Sequence, residues 1–293
     1  MTPVAPQAPD RALVLGPGGV PGTAWTAGLA AGLRHAGVDL GEADLIVGTS
    51  AGAIVAALVA TGQDLDGLAA PGRRPGAVSP PAPPRAVDRA ALGAVFAVLG
   101  TPGLEPGEAR RRVGRIALDH ADPEAERALL AARAALIGAD SWPERGLLIT
   151  AVDAASGEPV VWDRTSGVPL VHAVAASSAF PGAEPPVTVR GRPYMDGALR
   201  AGTNADLAAG ARVVVVIEPM PRGSAEESSE QGPVAAGAPT SVRVVPDPEA
   251  VRAIGSNPND RTRWEPAYRA GLDQAAAVAA RLRPAWQPVP ETH

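Results

Sequence analysis

"DLIVGTSAGAIVAALVATG" (Asp44 to Gly62) joins an apolar strand to an apolar helix through one sharp corner. "DLIV" is a short continuous apolar run, the pattern of a strand buried on both faces of a parallel sheet. "SAGAIVAALVATG" is small and apolar throughout and closes at Gly62, as a buried helix does. The unit before it repeats the plan. "RALVLG" (Arg11 to Gly16) reads as a strand, "GPGGVPG" (Gly16 to Gly22) as a turn, and "TAWTAGLAAGLRHAG" (Thr23 to Gly37) as a helix. Strand–turn–helix twice over predicts an α/β fold with a parallel sheet and crossover helices.

The rest of the chain fills in around this unit. From about Gly62 to Arg145 the composition changes to a Pro/Gly-rich run, the apolar helical segment "AVDRAALGAVFAVLG", and an Arg- and Ala-rich helical stretch from Glu108 to Leu136. This region reads as a cap or insertion over the sheet, within a single domain covering residues 1–293. Strand character returns at "GLLITAVD" (Gly146 to Asp153), and "GEPVVWD" is placed to pair with it. "PLVHAVAASSA" predicts a helix stopped by "FPG", and "GRPYMDGALR" a turn. "ARVVVVIEPM" (Ala211 to Met220) and "SVRVVPD" predict further strands, with a terminal helix from about Pro266 to Leu282. Small and polar residues from about 221 to 240 predict a flexible loop.

Composition removes several kinds of chemistry. The 293 residues contain no cysteine, which excludes thiol nucleophiles, disulfides and thiolate metal sites. All 26 basic residues are arginine, so Schiff bases, Ser-Lys dyads and a lysine-bearing phosphate loop are excluded too. The four histidines are far apart and lack metal-ligand spacing. Neither a metal nor another cofactor is called for. A net charge of −5 argues against nucleic acid as a partner. The opening "MTPVAPQAPDR" lacks the features of a signal peptide, and no run is long enough to span a bilayer, so the expected location is cytoplasmic.

Two glycine-flanked corners remain. "GPGGVPG" does not match a dinucleotide loop, because its last glycine comes one position late and no acid ends the next strand. It is either a structural turn or a set of backbone donors for a developing oxyanion. "GTSAG" (Gly48 to Gly52) is G-x-S-x-G at a strand-to-helix junction, the setting of a nucleophile elbow. Ser50 then needs a base. His293 ends a Pro-rich tail, His172 lies in an apolar helical run, and Asp196 precedes Gly197 in "YMDGA". Trp25 and Phe180 read as core near the site, and Asn204 and Asp206 in "TNAD" as helix caps.

Taken in order, "GPGGVPG", "GTSAG" and "MDGA" resemble the patatin-like phospholipases. "AVAASSAFPG" and "GTNADLAAGARVVVVIEP" resemble the stretches on either side of that family's aspartate. The resemblance implies a three-layer α/β/α fold with a mostly parallel central sheet and a helical cap. It implies a Ser-Asp dyad of Ser50 and Asp196, acting on lipid or ester substrates without a catalytic histidine. It also implies an oxyanion hole from the N–H groups of Gly18, Gly19 and Val20, framed by the motif glycines Gly16, Gly22, Gly48, Gly52 and Gly197. The glycine turn departs from the family pattern. Pro17 stands where a glycine is usual and has no N–H to donate, and Pro21 replaces a basic residue.

The expected function is therefore a lipid acyl hydrolase. The alternatives are an acyltransferase on the same nucleophile and a non-catalytic lipid-binding protein. "AALGAVFAVL" (Ala90 to Leu99), followed by Arg110, Arg111, Arg112 and Arg115, reads either as a lipid-facing lid for peripheral membrane contact or as a core helix with a solvated charged face.

Overall fold

Strand β1 (Arg11–Leu15) runs parallel between β2 (Leu45–Gly48) and β7 (Val213–Ile217) inside a sheet that has eight strands among the described residues. The structure is a computed structural model and describes residues 9–69, 87–220 and 238–286. Most of the loop expected at 221–240 and the Pro/Gly-rich run up to residue 86 lie outside the described residues. Beyond β7 lies β8 (Thr240–Val244), and beyond β2 lies β3 (Gly146–Asp153), both parallel to their neighbours. Three antiparallel strands finish the sheet at one end: β4 (Pro159–Trp162), β5 (Val187–Val189) and β6 (Arg192–Asp196). The sheet is thus mixed, mostly parallel and flanked by helices.

The pleat sorts the strand residues onto two faces. Leu13, Leu15, Ile46, Ile149, Val215 and Ile217 join one buried cluster, which holds side chains of α1 (Gly19–His35), α2 (Ala51–Ala60) and α9 (Trp264–Trp286). Val14, Val47, Val214 and Val216 face the other way onto Ala208 and Ala211. Helices α1 and α9 cross at small residues. A Cβ on Gly28 would overlap the Tyr268 carbonyl, and one on Gly271 would overlap the Trp25 carbonyl. Trp25 is fully buried, and its indole N–H donates to Gln274 at 3.1 Å, which makes it part of the helix–helix core.

Three helices cover the antiparallel end: α3 (Arg89–Leu99), α4 (Pro106–Asp119) and α5 (Pro123–Ile137). Val95 of α3 and Val113 and Ala117 of α4 share a buried cluster with Val152, Ala154 and Met195. The Arg- and Ala-rich stretch from 108 to 136 is two helices rather than one. It breaks where Asp122 accepts hydrogen bonds from the N–H groups of Glu124 and Ala125, with Pro123 in the first helical position.

Helix α1 also starts earlier than its apolar pattern suggests. Gly19 to Gly22 form its first turn, where Pro21 costs nothing because the N–H it lacks would have no partner inside the helix. The segment "GRPYMDGALR" holds its turn at Gly197, between β6 and the short helix α7 (Ala198–Ala201). Helix α6 (Leu170–Ser177) stands where expected, and α8 (Pro248–Ile254) was not apparent from the sequence.

One edge of β3 positions the site. At Ile149, β3 has β2 on one side and β4 on the other. At Ala151 it has β4 on one side and β6 on the other. Strands β2 and β6 therefore lie along the same edge of β3, end to end and running in opposite directions. Their C-terminal ends point at each other across a short gap.

Candidate active site

Ser50 and Asp196 meet in that gap. Gly48, the last residue of β2, is opposite Ile149, and Asp196, the last residue of β6, is opposite Ala151. The Ser50 hydroxyl donates to Asp196 Oδ2 at 2.7 Å. The other carboxylate oxygen accepts the Ala198 N–H at 2.8 Å, which orients the group, and the Asp196 side chain is fully buried. Of the two histidines raised as bases, His293 lies outside the described residues. His172 is on α6 with a buried Nδ1 that has no hydrogen-bond partner, and it takes no part in the Ser50 bond.

Ser50 has φ 56° and ψ −120°, a strained backbone for any residue with a side chain, and it immediately precedes α2. The corner is tied down on several sides. The Ser50 N–H donates to the Ser177 hydroxyl at 3.0 Å, and the Thr49 N–H donates to the Leu15 carbonyl at 3.0 Å. The Gly52 N–H reaches the Gly16 carbonyl at 3.1 Å, and a Cβ on Gly52 would overlap the Leu15 carbonyl oxygen. The elbow therefore sits directly against the start of the glycine turn. Gly48 lies in close contact with Ala53 and Ala56, and the Gly197 N–H donates to the Ser177 carbonyl at 3.1 Å.

The three N–H groups expected in the oxyanion hole are not equivalent. The Val20 N–H donates to the Pro258 carbonyl at 2.7 Å. Gly19 has φ +62°, and a Cβ there would run into Pro258. Among the described residues, the N–H groups of Gly18, Gly19 and Ala51 have no acceptor. Ala51 follows the serine at the start of α2, where the partial positive charge of the helix end is concentrated. Gly22 donates to the Gly18 carbonyl at 3.1 Å and lies in close contact with Pro219.

Next to Ser50 and Asp196 is a buried polar knot that sequence reasoning missed. Asn204 is fully buried with φ 60°, and its side chain does not cap the following turn as expected. Its amide nitrogen instead lies 2.9 Å from Thr49 Oγ1, 3.2 Å from Thr150 Oγ1 and 3.1 Å from the Gly197 carbonyl. The knot thus links the residue before Ser50, the residue after Asp196 and the strand between them. Asp206 pairs with Arg200 at 2.7 Å, which lowers the Asp206 pKa chiefly through that hydrogen bond. Phe180 is only partly buried, and its ring centroid lies 5.9 Å from that of Phe96 on α3, a residue that is 55% exposed.

The arginines after α3 are turned toward protein partners. Arg110 Nε donates to the Gly157 carbonyl at 2.7 Å, and Arg111 and Arg112 pair with Glu108 at 3.0 and 2.8 Å. Arg115 lies 3.8 Å from the same carboxylate. No helix among the described residues is long and apolar enough to cross a membrane.

Two solved structures align with the chain. VipD from Legionella pneumophila aligns with a TM-score of 0.45 at 12% identity, over 94% of this chain and 68% of that one. The type III effector ExoU aligns with a TM-score of 0.41 at 17% identity, over 97% of this chain and 54% of that one. No curated protein matches the chain. The sequence model of the patatin-like phospholipases matches residues 13–209, which takes in the glycine turn, the elbow, Asp196 and Asn204. More than half the chain is covered by that match, and the protein belongs to the patatin-like phospholipase family.

Proposed function

We propose that the protein is a lipid acyl hydrolase in which Ser50 is the nucleophile and Asp196 the general base. The observation that carries this reading is the 2.7 Å hydrogen bond from a strained serine at the start of α2 to a buried aspartate. As Ser50 Oγ attacks the ester carbonyl carbon, its proton passes to Asp196 Oδ2, and the carbonyl oxygen takes up the negative charge. The N–H groups of Gly18, Gly19 and Ala51 are the donors for that oxyanion, and Val20 joins them only if it releases the Pro258 carbonyl. Collapse breaks the bond to the alcohol, which leaves with the proton held by Asp196. Water then attacks the acyl-serine and gives a proton to Asp196. A second collapse releases the fatty acid and returns the proton to Ser50. A hydroxyl aimed at a carboxylate, with no imidazole in the relay, suffices for both steps.

The outward face of α3 is the proposed lipid-contacting element. Phe96 and Leu99 are exposed on a helix that buries only Ala91 and Val95. Because Arg110, Arg111 and Arg112 are held by Gly157 and Glu108, the apolar face rather than the arginine run supports this reading.

Two substitutions test the dyad. Ser50→Ala and Asp196→Asn are each expected to lower p-nitrophenyl ester turnover by about a thousandfold or more with the fold intact. A fluorophosphonate is expected to label Ser50 in the native chain. Turnover retained in either variant refutes the assignment.

A further inference from the structure

The C-terminal end of α6 meets both halves of the proposed dyad. Ser50 lies past Gly48, where the ladders of β2 end, and before the first residue of α2. Its N–H is outside both elements, and the hydroxyl of Ser177 accepts it at 3.0 Å. Ser177 is fully buried and is the last residue of α6. The last carbonyls of a helix have no partner inside it. That of Ser177 accepts the Gly197 N–H at 3.1 Å, and just beyond the helix the Ala179 carbonyl accepts the Asp196 N–H at 3.0 Å. One residue thus bonds to the nucleophile's backbone through its side chain and to the turn of the base through its backbone.

The hydroxyl matters because of the backbone it holds. With φ at 56°, Ser50 keeps its conformation only if its surroundings over-determine it. Rotation about its N–Cα bond swings Cβ, and with it the Oγ that sits 2.7 Å from Asp196 Oδ2. A misplacement of about 1 Å at reacting atoms can cost about a hundredfold in rate. The neighbouring Ser178 supplies a contrast. Its hydroxyl is also buried at this helix end, donates to the Val174 carbonyl at 2.9 Å and accepts from Arg133 Nε at 2.9 Å. It holds α5 to α6, whereas the bond from Ser50 goes to Ser177.

We propose that Ser177 is a positioning residue for acyl transfer. Its hydroxyl fixes the strained backbone of Ser50, so that Oγ stays aimed at the aspartate whose turn the same residue anchors through Gly197. Ser177 acts through Ser50 and takes no part in bond making. The role rests on the reading of Ser50 as nucleophile and deepens it.

The test sets Ser177→Ala against Ser178→Ala in the full chain. Ser177→Ala leaves the Ser50 N–H without its acceptor. It is expected to lower kcat for a p-nitrophenyl ester by about tenfold or more and to leave KM within about threefold. The rate of fluorophosphonate labelling at Ser50 should fall by a similar factor. Exchange of the Ser50 amide hydrogen, followed by NMR, should quicken by about tenfold or more. Ser178→Ala removes a buried hydroxyl from the same helix end and is expected to keep kcat and Ser50 exchange within about twofold, even where its Tm falls. A general loss of stability moves both variants, and a loss of position moves one. If Ser177→Ala does not fold, Ser177→Cys decides, because a thiol of similar size is a weak acceptor, and its kcat is expected to fall by about threefold or more. Parent-like kcat in a folded Ser177 variant, an equal fall in Ser178→Ala, or a change confined to KM overturns the proposal. Failure of both Ser177 variants to fold also overturns it, since the residue is then needed for the fold itself. Absence of label at Ser50 in the parent chain sinks the hydrolase reading and this role with it. Label in the parent with an unchanged labelling rate in Ser177→Ala sinks this role alone.

Discussion

Replacing Asn204 tests the idea that the polar knot holds both ends of the proposed dyad in place. The amide nitrogen has two hydrogens and sits 2.9 to 3.2 Å from Thr49 Oγ1, Thr150 Oγ1 and the Gly197 carbonyl. Asn204→Gly deletes those donors while allowing the φ of 60°. Two hydrogen bonds at about 1–1.5 kcal/mol each give a loss of about 2–3 kcal/mol. Thr49 and Thr150 limit the loss, because their hydroxyls are already 3.1 Å apart and can still bond to each other. The Gly197 carbonyl has no such substitute. Asn204→Ala is expected to be worse, because a Cβ in the left-handed region costs about 1–2 kcal/mol, partly offset by the unfolded-state freedom that glycine adds. Urea unfolding measures the loss directly. In a thermal melt the glycine variant is expected to fall by roughly 4–12 °C. Turnover is expected to fall by about tenfold or more in both variants, because the turn that orients Asp196 through Ala198 loses its anchor. An unfolding free energy for Asn204→Gly within about 0.5 kcal/mol of the parent refutes the reasoning.

Three further outcomes are expected. Gly52→Ala puts a methyl into the Leu15 carbonyl and should cost about 1–3 kcal/mol together with most of the activity; a variant with parent-like melting and turnover contradicts the close approach of elbow and glycine turn. Burial pushes the Tyr268 phenol up to about 12. Its folded pKa exceeds the unfolded value of about 10, so its contribution is complete below about pH 10 and is lost as the pH rises toward 12. The stability of Tyr268→Phe should therefore fall less steeply over that window, and parallel curves from urea unfolding at stepped pH speak against it. Phe96→Asp should reduce hydrolysis of ester in vesicles by about tenfold and leave a soluble p-nitrophenyl ester within about twofold, whereas an equal effect on both substrates removes α3 from lipid contact.

Much of the sheet was legible because its strands are local signals. "RALVL", "LIVG" and "VVVVI" are buried on both faces and read as continuous apolar runs. The split between α4 and α5 was also written in the sequence, as Asp122 before Pro123, but uniform Ala and Arg composition on both sides hid it. Other features depend on what folding brings together. Asn204 has the composition of a cap, and only the approach of Thr49 and Thr150 turns its amide inward. The hold of Pro258 on Val20 joins segments on opposite sides of the chain and leaves no local trace. Arg133 looks like one more member of a charged helix until Ser178 is found against it.

The shared edge of β3 bears on how this chain tolerates change in length. Ser50 and Asp196 are 146 positions apart, yet their separation in space is set by where β2 and β6 dock, at Ile149 and Ala151. Those two positions act as a ruler. Residues added to the turn between β3 and β4, or between β5 and β6, lengthen a loop without moving either mark. One residue inserted between Ile149 and Ala151 moves the marks apart by about 3.3 Å and turns the following side chains to the opposite face. The gap between Ser50 and Asp196 is therefore indifferent to the length of most of the chain and unforgiving at a single dipeptide step.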